Sequence, residues 1–353
     1  MSLFNNPLQY HAPTTPPLHP LPPHITRLSV STPNGTLELL HAPPAHSSSP
    51  RPSSLFFVHG GSGSAAVWLE YMTFFSQHNI PCYALSLRGH GGSFYPSFLR
   101  MLYATFKSDL ADDLVAGIEF AERREKEMGA EDGRVVLVGH SSGGGLSQDV
   151  LSRGRVRVKG LVLMAAVPGF GSIGVYTNWW TLDPWFSLRM LLHGWHPKSP
   201  LSSTALVKRV FFCDEMPESR VQEFEKQMSI YESFWWPVGM MYHFASAAAV
   251  VSNIVGWGTG SGQRVLVLAG EKDRLMTADV MEKLAEFYRG GVEELVRGKK
   301  IEAEAEEVRV EKDGRSRGLG VRLATVEGAG HHLQNDLQWE DGAGQVLDFY
   351  QQL

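Results

Sequence analysis

Two cysteines in 353 residues are too few to build a disulfide framework. Cys82 falls in an apolar run and reads as a small buried hydrophobe, and a reducing compartment is the default expectation. Long hydrophobic runs are missing as well: stretches such as 161–167 and 247–251 fall far short of the ~18 residues needed to cross a bilayer. No membrane span is expected. The first residues lack a charged segment followed by an apolar one, so a cytoplasmic location is the plain reading. Basic charge is scarce too. Lys and Arg number 32 against 37 Asp and Glu, the net charge is −5, and no basic run interleaves with aromatics. Nucleic acid is therefore not an expected partner. Hydrophobic content of 43% and charged content of 20% are ordinary for a globular chain long enough to bury a full core.

What is present is strongly patterned. Residues 134–145 read Arg-Val-Val-Leu-Val-Gly-His-Ser-Ser-Gly-Gly-Gly. A strand-like apolar run stops at Gly139, Ser141 sits alone between small residues, and a helix-compatible segment follows. This is G-x-S-x-G in the setting that the pattern requires, with the serine at the tip of a sharp strand-to-helix turn. Upstream, Leu55-Phe56-Phe57-Val58 runs into His59-Gly60-Gly61-Ser62-Gly63. No Gly-Lys-Ser/Thr follows, so this is not a P-loop. Beside the Ser141 turn it reads as an oxyanion-binding strand, with the N–H groups of Gly61 and Ser142 as donors.

Two later strands end in chemistry. Val265-Leu266-Val267-Leu268 leads to Gly270-Glu271-Lys272-Asp273, where Asp273 is placed to orient an imidazole. Glu271 and Asp279 compete for that role, and a helix cap near Thr277 is the bland alternative. Val321 to Val326 leads through Gly328-Ala329-Gly330 to His331 and His332. His331 directly follows the turn and is favoured as general base, with His332 packing or meeting solvent.

Strand and helix patterns alternate between these motifs: helix 65–77, strand 82–87, helix 104–128, strand 135–138, helix 144–152, strand 158–167. Such alternation predicts an α/β fold with a doubly wound, mostly parallel sheet. Ligands then bind beyond the carboxyl ends of the strands. Residues 1–25, rich in Pro and His, predict an extended or mobile arm. Its His11, His19 and His24 are too loosely spaced for a metal site. Pro33-Asn34-Gly35 predicts a hairpin turn. The core is expected in 26–167 and 258–353. From 168 to 257 the alternation breaks, and this stretch holds seven of the nine Trp residues. It predicts an inserted helical lid, most of its aromatics packing it onto the core. Residues 290–320, dense in Glu, Lys and Arg, predict a solvated excursion, with a short edge hairpin as the alternative.

The order Ser141, Asp273, His331, each at a strand's carboxyl end, resembles the α/β-hydrolase superfamily, in its lid-bearing branch of esterases and lactonases. Arg88-Gly89-His90-Gly91-Gly92-Ser93 is similar to a core-shaping turn common in that branch, which makes His90 structural. His59 and His140 flank the site as positioning residues. The resemblance implies a catalytic triad, acyl transfer through a covalent serine ester, and no metal or organic cofactor. The expected substrate is a fairly apolar ester or lactone. Thioester, C–C and amide cleavage use the same triad, and a retired hydrolase acting as a binding module is the rival class. Serine rather than aspartate at the turn argues against dehalogenase or epoxide hydrolase chemistry.

Overall fold

Short runs of Val, Leu, Ile and Phe, each closed by glycine or a polar turn, become the centre of one ten-stranded sheet in the computed structural model, which describes residues 8–46, 49–258, 262–302, 307–310 and 315–353. The strands are β1 (Thr26–Thr32), β2 (Gly35–Ala42), β3 (Leu55–Val58), β4 (Cys82–Leu85), β5 (Val136–His140), β6 (Gly160–Met164), β7 (Val265–Gly270), β8 (Arg309–Val310), β9 (Ser316–Gly318) and β10 (Val321–Val326). Their order across the sheet is β1-β2-β4-β3-β5-β6-β7-β10-β9-β8. The six from β4 to β10 are mutually parallel, and antiparallel pairs flank them on both sides. Every residue of β3, β4, β5, β6 and β7 is buried, as expected of parallel strands covered on both faces.

The covering helices are α1 (Leu69–Gln77), α2 (Phe98–Ala104), α3 (Lys107–Glu127), α4 (Ser141–Ser152), α5 (Ile173–Leu182), α6 (Phe186–Leu192), α7 (Thr204–Phe211), α8 (Glu218–Glu225), α9 (Trp235–Val238), α10 (Ala247–Ser252), α11 (Ala278–Arg297) and α12 (Trp339–Tyr350). In α3 the buried residues Leu110, Leu114, Ile118 and Ala121 recur at helical spacing, turning one stripe to the sheet. None of the described helices is long and apolar enough to cross a membrane.

Several local expectations change. The helix predicted over 104–128 starts later, at Lys107, because Phe106 is extended and bridges to Trp235 while the Thr105 carbonyl accepts from Ser233 Oγ; α2, ending at Ala104, is an additional helix before it. The predicted helix 65–77 opens with a 3₁₀ turn, Ala65–Trp68, capped by Ser64. The strand predicted over 158–167 shortens to β6, and Val158 pairs outside it with Ile254. Of the charged stretch 290–320, residues up to Arg297 complete α11, whose inner face buries Tyr288, Val292 and Leu295. Beyond it β8 pairs with β9, and β9 with β10, an edge hairpin whose outer strand β8 is exposed, as are residues 298–300. Residues 303–306 and 311–314 of that stretch lie outside the described residues.

Among its described residues, the stretch between β6 and β7 contains α5 to α10 and no strand. Its last helix, α10, packs on α4 and α11 beside the sheet. Its aromatics divide: Phe211, Phe212, Tyr231 and Trp236 are buried and Trp179, Phe234, Phe244 and Trp257 pack against the core, whereas Trp180, Trp185, Trp195, Trp235 and Tyr242 are exposed. The described part of the N-terminal arm is extended and anchored. His196 donates to the Gln9 carbonyl at 2.9 Å, the Tyr10 hydroxyl donates to the His193 carbonyl at 2.9 Å, and the Tyr10 ring meets Phe98 and His196.

Candidate active site

Strand β5 ends at His140 and α4 begins at the next residue, three positions earlier than the sequence pattern predicts. The turn is sharp enough to hold Ser141 at φ 51°, the left-handed region, which costs a non-glycine residue on the order of 1–2 kcal/mol. Sterics explain the flanking glycines. A Cβ on Gly139 would lie 2.6 Å from Gly144 Cα, and one on Gly143 would overlap the carbonyl oxygen of His59. The serine is thereby lifted above the sheet at the amino end of α4, where the helix dipole favours negative charge.

His331 and Asp273 arrive from the neighbouring strands β10 and β7, paired in parallel register. His331 Nε2 lies 3.0 Å from Ser141 Oγ, and its Nδ1 lies 2.8 Å from Asp273 Oδ2. A carboxylate only accepts, so Nδ1 carries the ring proton and Nε2 offers its lone pair to the serine hydroxyl. The other Asp273 oxygen, Oδ1, accepts the N–H groups of Leu275 and Met276 at 2.8 and 2.9 Å. Both amides precede Thr277, the N-cap of α11, so Oδ1 holds the loop after β7 rather than capping that helix, and Oδ2 is left to orient the imidazole. Glu271 accepts the Gly328 N–H at the surface, and Asp279 is exposed in the first turn of α11. Neither meets the imidazole.

The turn before His331 has its own supports. Asp336, buried, accepts N–H groups from Gly330, Cys213 and Leu337. His140 donates through Nε2 to the His331 carbonyl at 3.0 Å, tying the serine turn to the histidine turn. Burial, then the neighbouring His332 and His331, hold His140 well below the ordinary histidine range. His332 is also buried. It bonds Asn335 and sits between His140 and Phe224, and burial followed by His331 pushes its pKa down to about 3. It packs, as the sequence suggested.

The Gly60-Gly61 turn lies against the serine: a Cβ on Gly60 would stand 2.8 Å from Ser141 Cβ. Gly61, Ser142, Ser141 and His331 all line one cavity of about 350 Å³. The rest of its wall is largely apolar and comes from the stretch between β6 and β7, including Trp179, Phe186, Met190, Leu201 and Trp236. His59 is fixed as a neutral ring, Nδ1 donating to the Gly60 carbonyl and Nε2 accepting the Leu87 N–H. One cavity residue has no counterpart in the sequence reading. Glu232 reaches in from that same stretch, and its Oε2 accepts the Ser62 N–H and faces His90 Nε2, both at 2.9 Å. Among the described residues no three His, Cys, Asp or Glu side chains converge as metal ligands would.

Comparison with known proteins agrees with this architecture. A family model described as "Alpha/beta hydrolase family" matches residues 55–343. Protein ABHD8 of Bos taurus and of Homo sapiens is 37% identical over 90 residues. That match takes in 25% of this chain and spans only 18% of the length of those relatives. Among solved structures, a thermostable carboxyl esterase of Bacillus coagulans superimposes with a TM-score of 0.60 at 13% identity, covering 92% of this chain and 97% of the other. A thermophilic esterase of Thermogutta terrifontis gives 0.59 at 16% identity over 92% and 98%. A soluble variant of monoglyceride lipase from Saccharomyces cerevisiae gives 0.58 at 14% identity over 98% of each chain.

Proposed function

The chain belongs to the α/β-hydrolase family, and from that premise we propose that it is a serine hydrolase cleaving a carboxylic ester or lactone of an uncharged, apolar small molecule. The observation that carries this reading is the unbroken hydrogen-bond line from Asp273 through His331 to Ser141 at a largely apolar cavity. Ser141 attacks the carbonyl carbon while His331 Nε2 takes the hydroxyl proton, and Asp273 stabilises the imidazolium that results. The N–H groups of Gly61 and Ser142 receive the oxyanion, each such donor contributing roughly 3–4 kcal/mol to the transition state. His331 then protonates the leaving oxygen. Water, deprotonated by the same ring, releases the acid from the serine ester.

The helices between β6 and β7 serve as the lid that shapes the acyl site. Their side chains supply most of the cavity wall, and among the described residues no Lys or Arg lines it, which disfavours anionic substrates. The named activities of the solved relatives, carboxyl esterase and monoglyceride lipase, fit a neutral ester.

A fluorophosphonate probe tests the nucleophile: wild type is labelled and S141A is not. A screen of p-nitrophenyl esters of rising chain length beside lactones and thioesters tests the reaction class, with turnover of esters or lactones expected. A folded wild type that neither labels nor turns over any of them refutes the reading and points to a binding module.

A further inference from the structure

The turn Gly60–Ser62 needs holding. Ser62 sits at φ 62°, a backbone state that serine resists, and the preceding Gly61 is the proposed oxyanion donor. The holding groups come from the segment Gln227–Ser233, which crosses this turn. Ser229 donates its N–H to the Ser62 carbonyl at 2.9 Å, and the Gln227 carbonyl accepts from Ser64 Oγ. The Ser62 N–H, on the other side of the same residue, is taken by Glu232 Oε2. Glu232 Oε1 accepts the N–H of Ser233, so both carboxylate oxygens are engaged.

Partners fix the protons. His90 Nδ1 faces the Arg88 carbonyl at 2.8 Å, an acceptor, and so must carry a hydrogen. Glu232 Oε2 faces the Ser62 N–H, a donor, and so must keep a lone pair toward it. That leaves one proton for the 2.9 Å gap between Oε2 and His90 Nε2. On either atom the couple is neutral overall and every contact is satisfied. Without it, two lone pairs meet inside a buried site, where such repulsion is least screened.

We infer that Glu232 and His90 are positioning residues, a proton-sharing clamp that sets the oxyanion turn and opens when the shared proton leaves. The inference rests on the serine-hydrolase reading for its catalytic consequence, but not for the clamp itself. Other charged groups near the couple are already committed. His59, ring centroids 4.7 Å away, is held neutral, burial first and His90 second lowering its pKa. The Arg88 guanidinium is paired with Asp113 and Asp109, and Glu38, beyond the turn, accepts from Gly92, Ser86 and Arg27. On the cavity side stand Ser141 and His331, and Trp236 closes the remaining face of His90. Burial alone would lower the His90 pKa, but the Glu232 charge and hydrogen bond, with the backbone carbonyl, raise it above the usual histidine value. The clamp is therefore intact at and below that value and is lost as pH rises through the raised pKa.

The test follows p-nitrophenyl butyrate hydrolysis and thermal melting from about pH 5 to pH 10 in wild type, E232Q and H90N. Wild type shows an alkaline decline in kcat. E232Q lowers kcat roughly 10- to 100-fold, less than deletion of an oxyanion donor, with KM little changed and no alkaline decline. H90N, which lacks the titrating ring, also loses the decline, and it decides the matter where E232Q does not fold. Melting is read without substrate, and the wild-type melting temperature should fall more steeply at alkaline pH than that of either variant. Folded variants that keep wild-type kcat, the alkaline decline and the wild-type melting slope overturn the clamp. A wild type that hydrolyses nothing yet shows the differential melting slope keeps the clamp and removes the hydrolase reading.

Discussion

Replacing Asp273 by Asn separates the two jobs that its carboxylate performs. Oδ1 receives two backbone N–H groups, from Leu275 and Met276, and Oδ2 receives His331 Nδ1–H. The amide can orient only one way. Turning its NH₂ toward the two backbone donors would leave them buried and unpaired, at about 1–3 kcal/mol each. The amide oxygen therefore stays at the Oδ1 position and the NH₂ faces His331 Nδ1. An NH₂ donates, so the imidazole must offer a lone pair there and move its proton to Nε2. A protonated Nε2 cannot accept from Ser141, 3.0 Å away. We expect D273N to melt within a few degrees of wild type, since both loop-holding bonds survive, and to lose roughly 10⁴ in kcat with p-nitrophenyl esters. That loss corresponds to about 5.4 kcal/mol of transition-state stabilisation. Fluorophosphonate labelling should slow in parallel, whereas E271Q, altered only at the surface, should stay close to wild type. A folded D273N within about tenfold of wild-type kcat would show that another group orients His331.

Other perturbations give equally definite expectations. S141G should be inactive yet no less stable than S141A by denaturant unfolding, because glycine relieves the φ 51° strain that alanine keeps. G143A should lose about 1–3 kcal/mol and most of its activity, since the added methyl meets the His59 carbonyl and must move the oxyanion turn; an unchanged melting temperature would contradict this. R88A should lose about 3–5 kcal/mol in urea unfolding, because Asp113, wholly buried, is left with no opposite charge. A loss under ~1 kcal/mol would mean that water reaches Asp113.

The hydrogen-bonded line of Ser141, His331 and Asp273 was legible in the sequence because each member is announced locally. A buried parallel strand is a run of apolar residues, its end is a glycine, and a reactive side chain just past the glycine stands at the sheet's carboxyl edge. Nothing local announces Glu232. It lies in Ser229-Ile230-Tyr231-Glu232-Ser233, a segment with no period, and its partners Ser62 and His90 are 170 and 142 positions away. The late start of α3 was hidden for the same reason, since the residues that hold Thr105 and Phe106 out of the helix are Ser233 and Trp235. In 290–320, composition blurred a boundary: residues up to Arg297 complete α11, whose inner face carries apolar residues, and the edge strands begin only beyond it. Asp336 resembled any surface acid until the fold brought three amides to it.

The reach of Glu232 into the Gly60–Ser62 turn constrains how such a hydrolase can be re-engineered. The residues between β6 and β7 look interchangeable, a cassette strung between two strands whose chemistry is borne elsewhere. A chimera built on that premise would discard the carboxylate that holds the Ser62 N–H and would take away the partner of His90 Nε2. A successful graft must import its own acceptor for that amide, so the boundary between scaffold and cassette runs through residue 232 rather than around it.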